Sequence, residues 1–251
     1  MSTTIQSIYR YPVKGLSPER LPRVRLEPGK TLPADRRYAI ENGPSGFDPA
    51  APSYLPKSRF LMLMRNERLA QLQTHYDDAT CTLVIRHADR EAARGNLSTR
   101  EGRLAIEAFF RRFMPNELRG APKVLQADEH SFSDVAAKVV SIINLASVTA
   151  VETMVGGPVH PLRFRANLYV AGWPAWSELD MVGQELTIGD ARLKVTKRIK
   201  RCAATNVDPD TGIRDLAIPD TLLRTFDHMD CGIYAQVIAS GEIAAGDPIS
   251  P

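Results

Sequence analysis

Short runs in which apolar and polar residues alternate, separated by loops rich in proline and glycine, dominate the first third of the chain. Residues 4–11, TIQSIYRY, alternate in this way, and Pro12 ends the strand so that Lys14 falls in a turn. Further short strands are predicted at residues 23–27, 37–41 and 60–64. This spacing of short strands is typical of a small barrel or a curled sheet.

A hairpin and a helix are predicted next. Residues 69–87 read as two strands joined by a turn at residues 77–79. Ser98 and Glu101 have the spacing of a capping box, and the apolar residues after them recur with the helical period as far as Met114. We therefore expect one helix that ends just before Pro115.

A domain boundary is predicted between the two halves of the chain. Residues 115–122, PNELRGAP, hold two prolines and a glycine between two patterned regions. We expect an N-terminal domain of residues 1–118 and a second domain of residues 119–251.

The second half opens with alternating strand and helix patterns. Strands are predicted at residues 123–126 and 139–145, and Ser147 is the expected N-cap of a helix that Gly156 terminates. In residues 162–171, LRFRANLYVA, a regular strand would place Arg163, Arg165 and Asn167 on one face. Such a polar row suits binding better than a dry core.

Two strand pairs are predicted towards the end of the chain. Gly189 and Asp190 separate two alternating runs in residues 185–197, which indicates a hairpin. Residues 231–241 and 242–250 are expected to form a further pair. The 185–197 hairpin leads directly to Cys202, which should therefore follow a strand held rigidly by its partner.

Cys202 is the first candidate for chemistry. It follows Lys200 and Arg201 directly, and neighbouring cations favour the thiolate, the form that attacks electrophiles and binds metals. The alternative is that Cys202 is a small buried apolar residue and the basic run a solvated face. Cys81 and Cys231 have no such neighbours and are interpreted as structural, so neither a disulfide framework nor a zinc pair is indicated.

Composition and charge exclude several classes of protein. The net charge of +3 over 251 residues is too small to indicate nucleic-acid binding, although it allows a local anion site. The most membrane-like window, residues 135–155, contains Lys138 and Glu152, so we expect no membrane insertion. The first residues lack the pattern of a targeting segment, and the few cysteines suit a reducing compartment, so the expected location is cytoplasmic.

Common catalytic motifs are also missing from the sequence. It contains no phosphate-binding GxxxxGK[ST] loop, no GxGxxG, no GxSxG and no HExxH. What remains is a cysteine among cations, with Lys14, Arg163, Arg165 and residues 197–201 able to bind an oxyanion. This combination suits a covalent reaction at sulfur, or ligation of a soft metal held by a phosphate-bearing cofactor.

Five segments carry a resemblance to a known family. They are IYRYPVKG near the N-terminus, FRANLYV at 164–170, IGDARLKV at 188–195, RCAATNVDPDTG at 201–212 and the closing GDPI. They resemble proteins with a molybdenum-cofactor-sulfurase C-terminal (MOSC) domain and its N-terminal β-barrel domain, in particular the mitochondrial amidoxime-reducing component and its bacterial relatives. The resemblance implies a mixed α/β, mainly β fold: a MOSC-type β-barrel core with peripheral helices, preceded by a β-barrel-like domain.

The resemblance also implies a cofactor and its binding residues. The molybdenum cofactor, a pterin with a dithiolene and a phosphate, would bind between the domains, and Cys202 would be the metal ligand. The cofactor-binding residues implied in this way are Lys14, Arg36, Ser147, Arg165, Asn167, Arg201 and Cys202.

The function implied is the reduction of N-hydroxylated compounds such as amidoximes or hydroxylaminopurines. Asp208 and Asp210 are candidates for proton transfer, with a structural turn as the alternative reading. No cysteine cluster follows GDPIS, so electrons are expected from a separate flavin, haem or iron–sulfur protein. Two other hypotheses remain open: a sulfur carrier that holds a persulfide on Cys202, and a non-catalytic protein that binds or delivers the cofactor.

Overall fold

Fourteen strands and three α-helices lie within residues 2–250, the part of the chain that the computed structural model describes. The expected mixed α/β, mainly β fold is confirmed, with 34% of the chain in strands and bridges and 23% in helices, the 3₁₀ turns included. The strands are β1 Thr4–Arg10, β2 Glu19–Leu21, β3 Arg23–Leu26, β4 Ala39–Asn42, β5 Leu72–Asp77, β6 Thr82–His87, β7 Arg90–Asn96, β8 Pro122–Leu125, β9 Val140–Asn144, β10 Leu168–Ala171, β11 Glu185–Ile188, β12 Ala191–Lys200, β13 Asp230–Ala239 and β14 Gly241–Ala244. The helices are α1 Arg100–Phe113, α2 Leu145–Val155 and α3 Ile218–Phe226.

The largest sheet has seven strands in the order β11-β12-β13-β9-β10-β1-β2. All neighbours are antiparallel except β9 and β10, which are parallel and connected through α2. Parallel neighbours need such a crossover, because a tight turn reverses the chain direction. Along β12, Ala191, Leu193 and Val195 are buried while Arg192 and Lys194 are exposed, so the predicted alternation places one face of the strand in the core.

The N-terminal segment belongs to the same structural unit as the end of the chain. β1 pairs with β10 and β2, and β3 pairs with β14. A second core lies between the β5-β6-β7 sheet, α1 and the β4-β8 pair. Strands from both sides of residue 118 therefore pair with each other, and the predicted boundary at that residue stays a prediction.

Two predicted features of the first half are wrong. Residues 60–64 form no strand: only Phe60 bridges to Glu41, after a 3₁₀ turn at Lys57–Arg59. The apolar run there is continuous and buried rather than alternating. Its backbone is satisfied without a ladder, because Leu61 donates to the Ile40 carbonyl and Met62 donates to the Asn66 side chain. The prediction also missed β7, whose sequence REAARGN has too few apolar residues to show alternation.

The predicted pair of closing strands is also wrong. Only Ser240 separates β13 from β14, which is too short a connection for a hairpin turn. The chain therefore continues past Ser240 into a different sheet, where β14 pairs with β3. The hairpin predicted around Gly189 is confirmed as β11 and β12, and the hairpin in residues 69–87 as β5 and β6.

None of the helices in residues 2–250 has both the length and the apolar character that crossing a lipid bilayer requires. The longest, α1, has 14 residues, and its buried side chains Ile106, Phe109 and Phe110 face the second core. Its N-cap is Thr99 rather than Ser98, because the Thr99 hydroxyl accepts a hydrogen bond from the Gly102 amide at 3.1 Å.

Gly102 allows α1 to pack directly against the end of β7. A Cβ on this residue would overlap the backbone of Asn96, and a Cβ on Gly95 would overlap the backbone of Gly102. In an exposed helix, replacing glycine by alanine stabilises by about 1 kcal/mol. We expect Gly102→Ala instead to destabilise by about 3 kcal/mol, because neither backbone can move aside. Urea unfolding followed by circular dichroism measures this.

Gly157 provides the matched control, because a Cβ there would meet no atom within 4 Å. We expect Gly157→Ala to change the free energy of unfolding by less than about 0.5 kcal/mol. Equal effects at the two glycines would contradict the close packing of α1 on β7.

Candidate functional site

A cavity of about 280 Å³ collects most of the predicted site residues. Nine cationic side chains line it, against two carboxylates, Asp35 and Asp134. The cations are Lys14, Arg36, Lys57, Arg163, Arg165, Lys197, Arg198, Lys200 and Arg201. They come from the turn after β1, from loops of the second core, from the 3₁₀ turn before β10 and from the end of β12, so the cavity exists only where these distant segments meet.

Cys202 lies at the end of β12, where the strand gives way to a 3₁₀ turn at Ala203–Asn206. Its side chain is half-buried and lines the cavity. The cation at its sulfur is Lys57, whose Nζ lies 3.1 Å from Sγ, and not its sequence neighbour Arg201. Arg201 instead donates to the carbonyls of Cys231 and Phe164, at 2.6 and 2.9 Å.

Asp134 connects Lys57 with the predicted residue Lys14. The Lys14 ammonium contacts the Asp134 carboxylate and the carbonyl of Phe132, while Lys57 Nζ lies 3.4 Å from the same carboxylate. Burial lowers the pKa of Lys14. Burial acts to raise the pKa of Asp134, but the ammonium groups of Lys14 and Lys57 outweigh it and hold this pKa below its usual range.

Two predicted arginines share one aromatic ring. The guanidinium groups of Arg36 and Arg165 lie 4.5 and 4.3 Å from the ring centre of the fully buried Tyr11. Arg36 also pairs with Asp35 at 2.5 Å and donates to the carbonyl of Arg165 at 3.0 Å. Both arginines have left-handed backbone, with φ of 50° and 51°. This conformation is uncommon for residues other than glycine and is concentrated at functional sites.

The predicted strand through residues 162–171 is wrong in its first half. Pro161–Phe164 is a 3₁₀ turn and β10 begins only at Leu168, because Pro161 favours the start of a helical turn. Arg163, Arg165 and Asn167 therefore do not share a strand face, although all three line the cavity.

The side chains of Arg163 and Asn167 have specific partners. Arg163 pairs with Asp208 and Asp215, at 3.0 and 2.7 Å. Asn167 accepts from the amide and hydroxyl of Ser141 and donates to the carbonyl of Tyr9. These contacts tie the turn before β10 to β9 and β1.

Three predicted site residues lie outside the cavity lining. Ser147 is fully buried and its hydroxyl donates to Glu178; the N-cap of α2 is Asn144 and not Ser147. Asp208 accepts hydrogen bonds from the turn that follows it and pairs with Arg163, whereas Asp210 is exposed. The two aspartates thus occupy the structural turn that was their alternative reading. Their role in proton transfer stays a prediction.

Several lining residues were not singled out from the sequence. Lys57 and Asp134 lie in loops without a motif, and Tyr234 lies in the middle of β13. Lys57 and Asp134 meet across 77 positions of sequence and Lys57 meets Cys202 across 145. No local pattern could therefore have indicated these contacts.

The hydrogen-bond donors of the cavity suit an anionic cofactor whose metal is held mainly by the cofactor itself. Within residues 2–250, no three His, Cys, Asp or Glu side chains lie close enough together to hold a metal ion. Arg201 Nη2 and Arg163 Nε are buried there without a hydrogen-bond partner. Buried donors of this kind normally have a partner, and both arginines also line the cavity, so this set of donors suits an anion better than a cation. Cys202 adds one soft sulfur ligand.

The sequence that forms this cavity matches two known family models. Residues 2–113 match the MOSC N-terminal beta barrel domain and residues 127–250 match the MOSC domain. Because the two matches together cover nearly the whole described chain, the chain belongs to the family of MOSC proteins that carry this N-terminal domain.

Curated relatives are similar over part of the chain. Mitochondrial amidoxime reducing component 2 of Rattus norvegicus is 32% identical over 122 residues, which cover 44% of this chain and 36% of the relative. Mitochondrial amidoxime-reducing component 1 of Homo sapiens is 28% identical over 134 residues, which cover 49% and 39%. The matched segments thus span less than two-fifths of these relatives' own length.

A solved structure, the YUAD protein from Bacillus subtilis, aligns with 99% of this chain and 94% of its own. The TM-score is 0.47 and the identity 11%, a likeness too low to support a conclusion.

The contacts of Asp134 predict a pH-dependent contribution to stability. Because its pKa is lower in the folded chain, the ionised carboxylate stabilises the fold above its unfolded pKa of about 4, and this contribution is lost as the pH falls further. We expect Asp134→Asn to lower the free energy of unfolding at pH 7 by roughly 1 kcal/mol, since half of the side chain is exposed to screening water. Urea titrations between pH 7 and pH 3 should show the difference between the two proteins narrowing below about pH 4.

Asp210→Asn is the matched control, because Asp210 is exposed and forms no salt bridge with a residue in the range 2–250. We expect it to leave stability within about 0.5 kcal/mol of the wild type at every pH. A deficit of Asp134→Asn that remained constant down to pH 3 would show that the carboxylate charge is not what stabilises this site.

Proposed function

We propose that this protein is a molybdenum-cofactor-dependent enzyme that reduces N-hydroxylated compounds with electrons from a separate redox protein. The observation that carries the proposal is the half-buried Cys202 sulfur in a cavity lined by nine cations and two carboxylates. Membership of the MOSC family and the similarity to amidoxime-reducing components support it.

We propose that the buried and half-buried cations of the cavity bind the negatively charged groups of the cofactor. Arg36 and Arg165, held against Tyr11, and the unpartnered Nη2 of Arg201 would donate to it, with Lys14 close by. The side chain of Asn167 would orient this wall through its bonds to Ser141 and Tyr9. Guanidinium groups suit this role because they can form two parallel hydrogen bonds to an oxyanion.

Cys202 would be the metal ligand, and Lys57 its electrostatic partner. The Lys57 ammonium lies 3.1 Å from the Cys202 sulfur, so it would face the negative charge that a metal-bound thiolate carries. When bound, the cofactor would supply the two-electron redox chemistry that the amino acids lack. The backbone at Cys202 is held in place by two hydrogen bonds, because Thr205 donates from both its amide and its hydroxyl to the Cys202 carbonyl, each at 3.0 Å.

The overall reaction breaks one N–O bond. Two electrons from the donor protein and two protons enter; one proton replaces the hydroxyl group on nitrogen, and the other leaves with that hydroxyl as water. Within the cavity, Lys57 Nζ carries a proton beside the sulfur. The hydroxyl of Tyr234 stays protonated as well, because burial raises its pKa. We place this reaction in the cytoplasm, where the few free cysteines would remain reduced.

Cofactor content tests the proposal directly. Protein expressed in a host that makes the molybdenum cofactor should contain both molybdenum and pterin, measured by elemental analysis and pterin fluorescence. We expect Cys202→Ser to lower the molybdenum content at least about tenfold, because the soft sulfur ligand is lost. Benzamidoxime reduction by the loaded protein with a chemical electron donor completes the test.

Cys81→Ser is the matched control, because Cys81 is partly buried like Cys202 but lies before β6, away from the cavity. Its molybdenum content should equal that of the wild type, and both variants should keep the wild-type circular dichroism spectrum. Wild-type protein without molybdenum and pterin from such a host would overturn the proposal.

The contact between Lys57 and Cys202 also supports a second function, a sulfur carrier with a persulfide on Cys202. Intact-mass spectrometry before and after mild reductant separates the two. A carrier would gain and lose one sulfur atom at Cys202 and hold no metal. Tight cofactor binding without turnover by any electron donor would instead indicate a binding or delivery protein.

A further inference from the structure

The cavity has an outer rim, formed by Lys197 and Lys200 of β12, that the proposed function leaves without a role. Both side chains are exposed and both line the cavity. Neither ammonium group forms a salt bridge or a side-chain hydrogen bond with any residue in the range 2–250; Lys197 only lies 5.7 Å from the ring centre of Tyr234. The two lysines therefore carry positive charges without a counter-ion at the rim of the cavity.

The backbone of β12 is irregular where these two lysines lie. In a regular strand, residues three positions apart point to opposite faces. The pairing of β12 with β13 shifts register between Val195 and Lys197 and again between Arg198 and Lys200. Such irregularities re-aim side chains and are common beside active sites. Here all residues from 197 to 202 line the cavity, both lysines included.

Other cations of the cavity are engaged within the protein. Arg163 pairs with Asp208, and Arg198 with Asp180 at 3.0 Å. Lys57 is shared between Asp134 and Cys202. The rim thus differs from these cations in having no internal partner.

Depth separates the rim from the cations assigned to the cofactor. Lys14 and Arg201 are 5% and 7% exposed, whereas Lys197 and Lys200 are exposed. Between these levels lies Tyr234, the cross-strand neighbour of Lys197, whose ring forms part of the wall. An aromatic wall beside free ammonium groups suits a flat ligand that carries a negative charge.

We propose that the rim selects N-hydroxylated substrates that carry an anionic oxygen group, a carboxylate or a phosphate, bound by Lys197 and Lys200. This inference rests on the proposed function and specifies its substrate class. A concave small-molecule site is favoured over docking of an acidic protein because both lysines line the cavity itself.

Paired substrates test the rim in the cofactor-loaded protein. Benzamidoxime is neutral, whereas its 4-carboxy and 4-phosphono derivatives carry the anionic group, one of each kind. We expect the wild type to have lower KM values for the charged substrates. Lys197→Gln combined with Lys200→Gln should raise those KM values about tenfold, while the KM for benzamidoxime stays within about twofold. The larger of the two increases identifies the preferred anion.

Lys194→Gln is the matched control, since Lys194 is an exposed lysine of the same strand that does not line the cavity. It should leave all three KM values unchanged. Equal KM values for neutral and charged substrates in the wild type, or equal losses in the rim variant, would overturn the inference. So would a rim variant whose only defect is a raised KM for the electron-donor protein.

Binding to the protein as purified from the cofactor-producing host, without an electron donor, separates this inference from the proposed function. Calorimetric titration with 4-carboxybenzamidoxime should give an affinity that falls about tenfold in the rim variant and falls with added salt. If the loaded protein reduces neither substrate but this lysine-dependent binding is present, the proposed function fails and the anion site stands. If reduction occurs without lysine-dependent binding, the anion site fails and the function stands.

Discussion

The concentration of positive charge around one small cavity is the constraint that governs the structure of this protein. Like charges in a space of about 280 Å³ repel each other, and burying them removes the water that would screen them. The fold offsets this cost in three ways. Carboxylates pair with Lys14, Arg36 and Arg163, backbone carbonyls accept from Arg201, and the Tyr11 ring lies beside two guanidinium groups.

These compensations come from different parts of the chain, so the charge constraint is also a constraint on topology. Asp134 comes from the loop before β9 and Tyr11 from the turn after β1, while the partners of Arg163 follow β12. Removal of any one segment would leave buried cations without the carboxylates or the aromatic ring that they contact. The pairing of β1 with β10 and the pocket chemistry are therefore two aspects of the same arrangement.

The sequence predicted those parts of the site that depend on local pattern. Lys14 lies in the turn that Pro12 imposes, and Cys202 follows the strand that the alternation of β12 indicates. Arg163, Arg165 and Asn167 do line the cavity, but through a 3₁₀ turn and a left-handed residue instead of a strand face. The strand period correctly marked these residues as polar and close together, yet it could not predict the turn that Pro161 begins.

Lys57 and Asp134 carry no local signal, because their roles arise from contacts across long sequence separations. The same limit explains why the β11-β12 hairpin was predictable whereas the pairing of β14 with β3 was not.

The position of β1 in the large sheet has a consequence for how the chain is made. During synthesis β1 emerges first and can pair at once with β2, but its other edge has no partner until residues 168–171 have been translated. A strand with an open edge is a template for incorrect pairing. This edge of β1 must therefore remain open while residues 11–167 are synthesised, and the cavity can form only after that. The cavity also needs residues 197–202 and Tyr234, so its lining is complete only after these later segments have been translated as well.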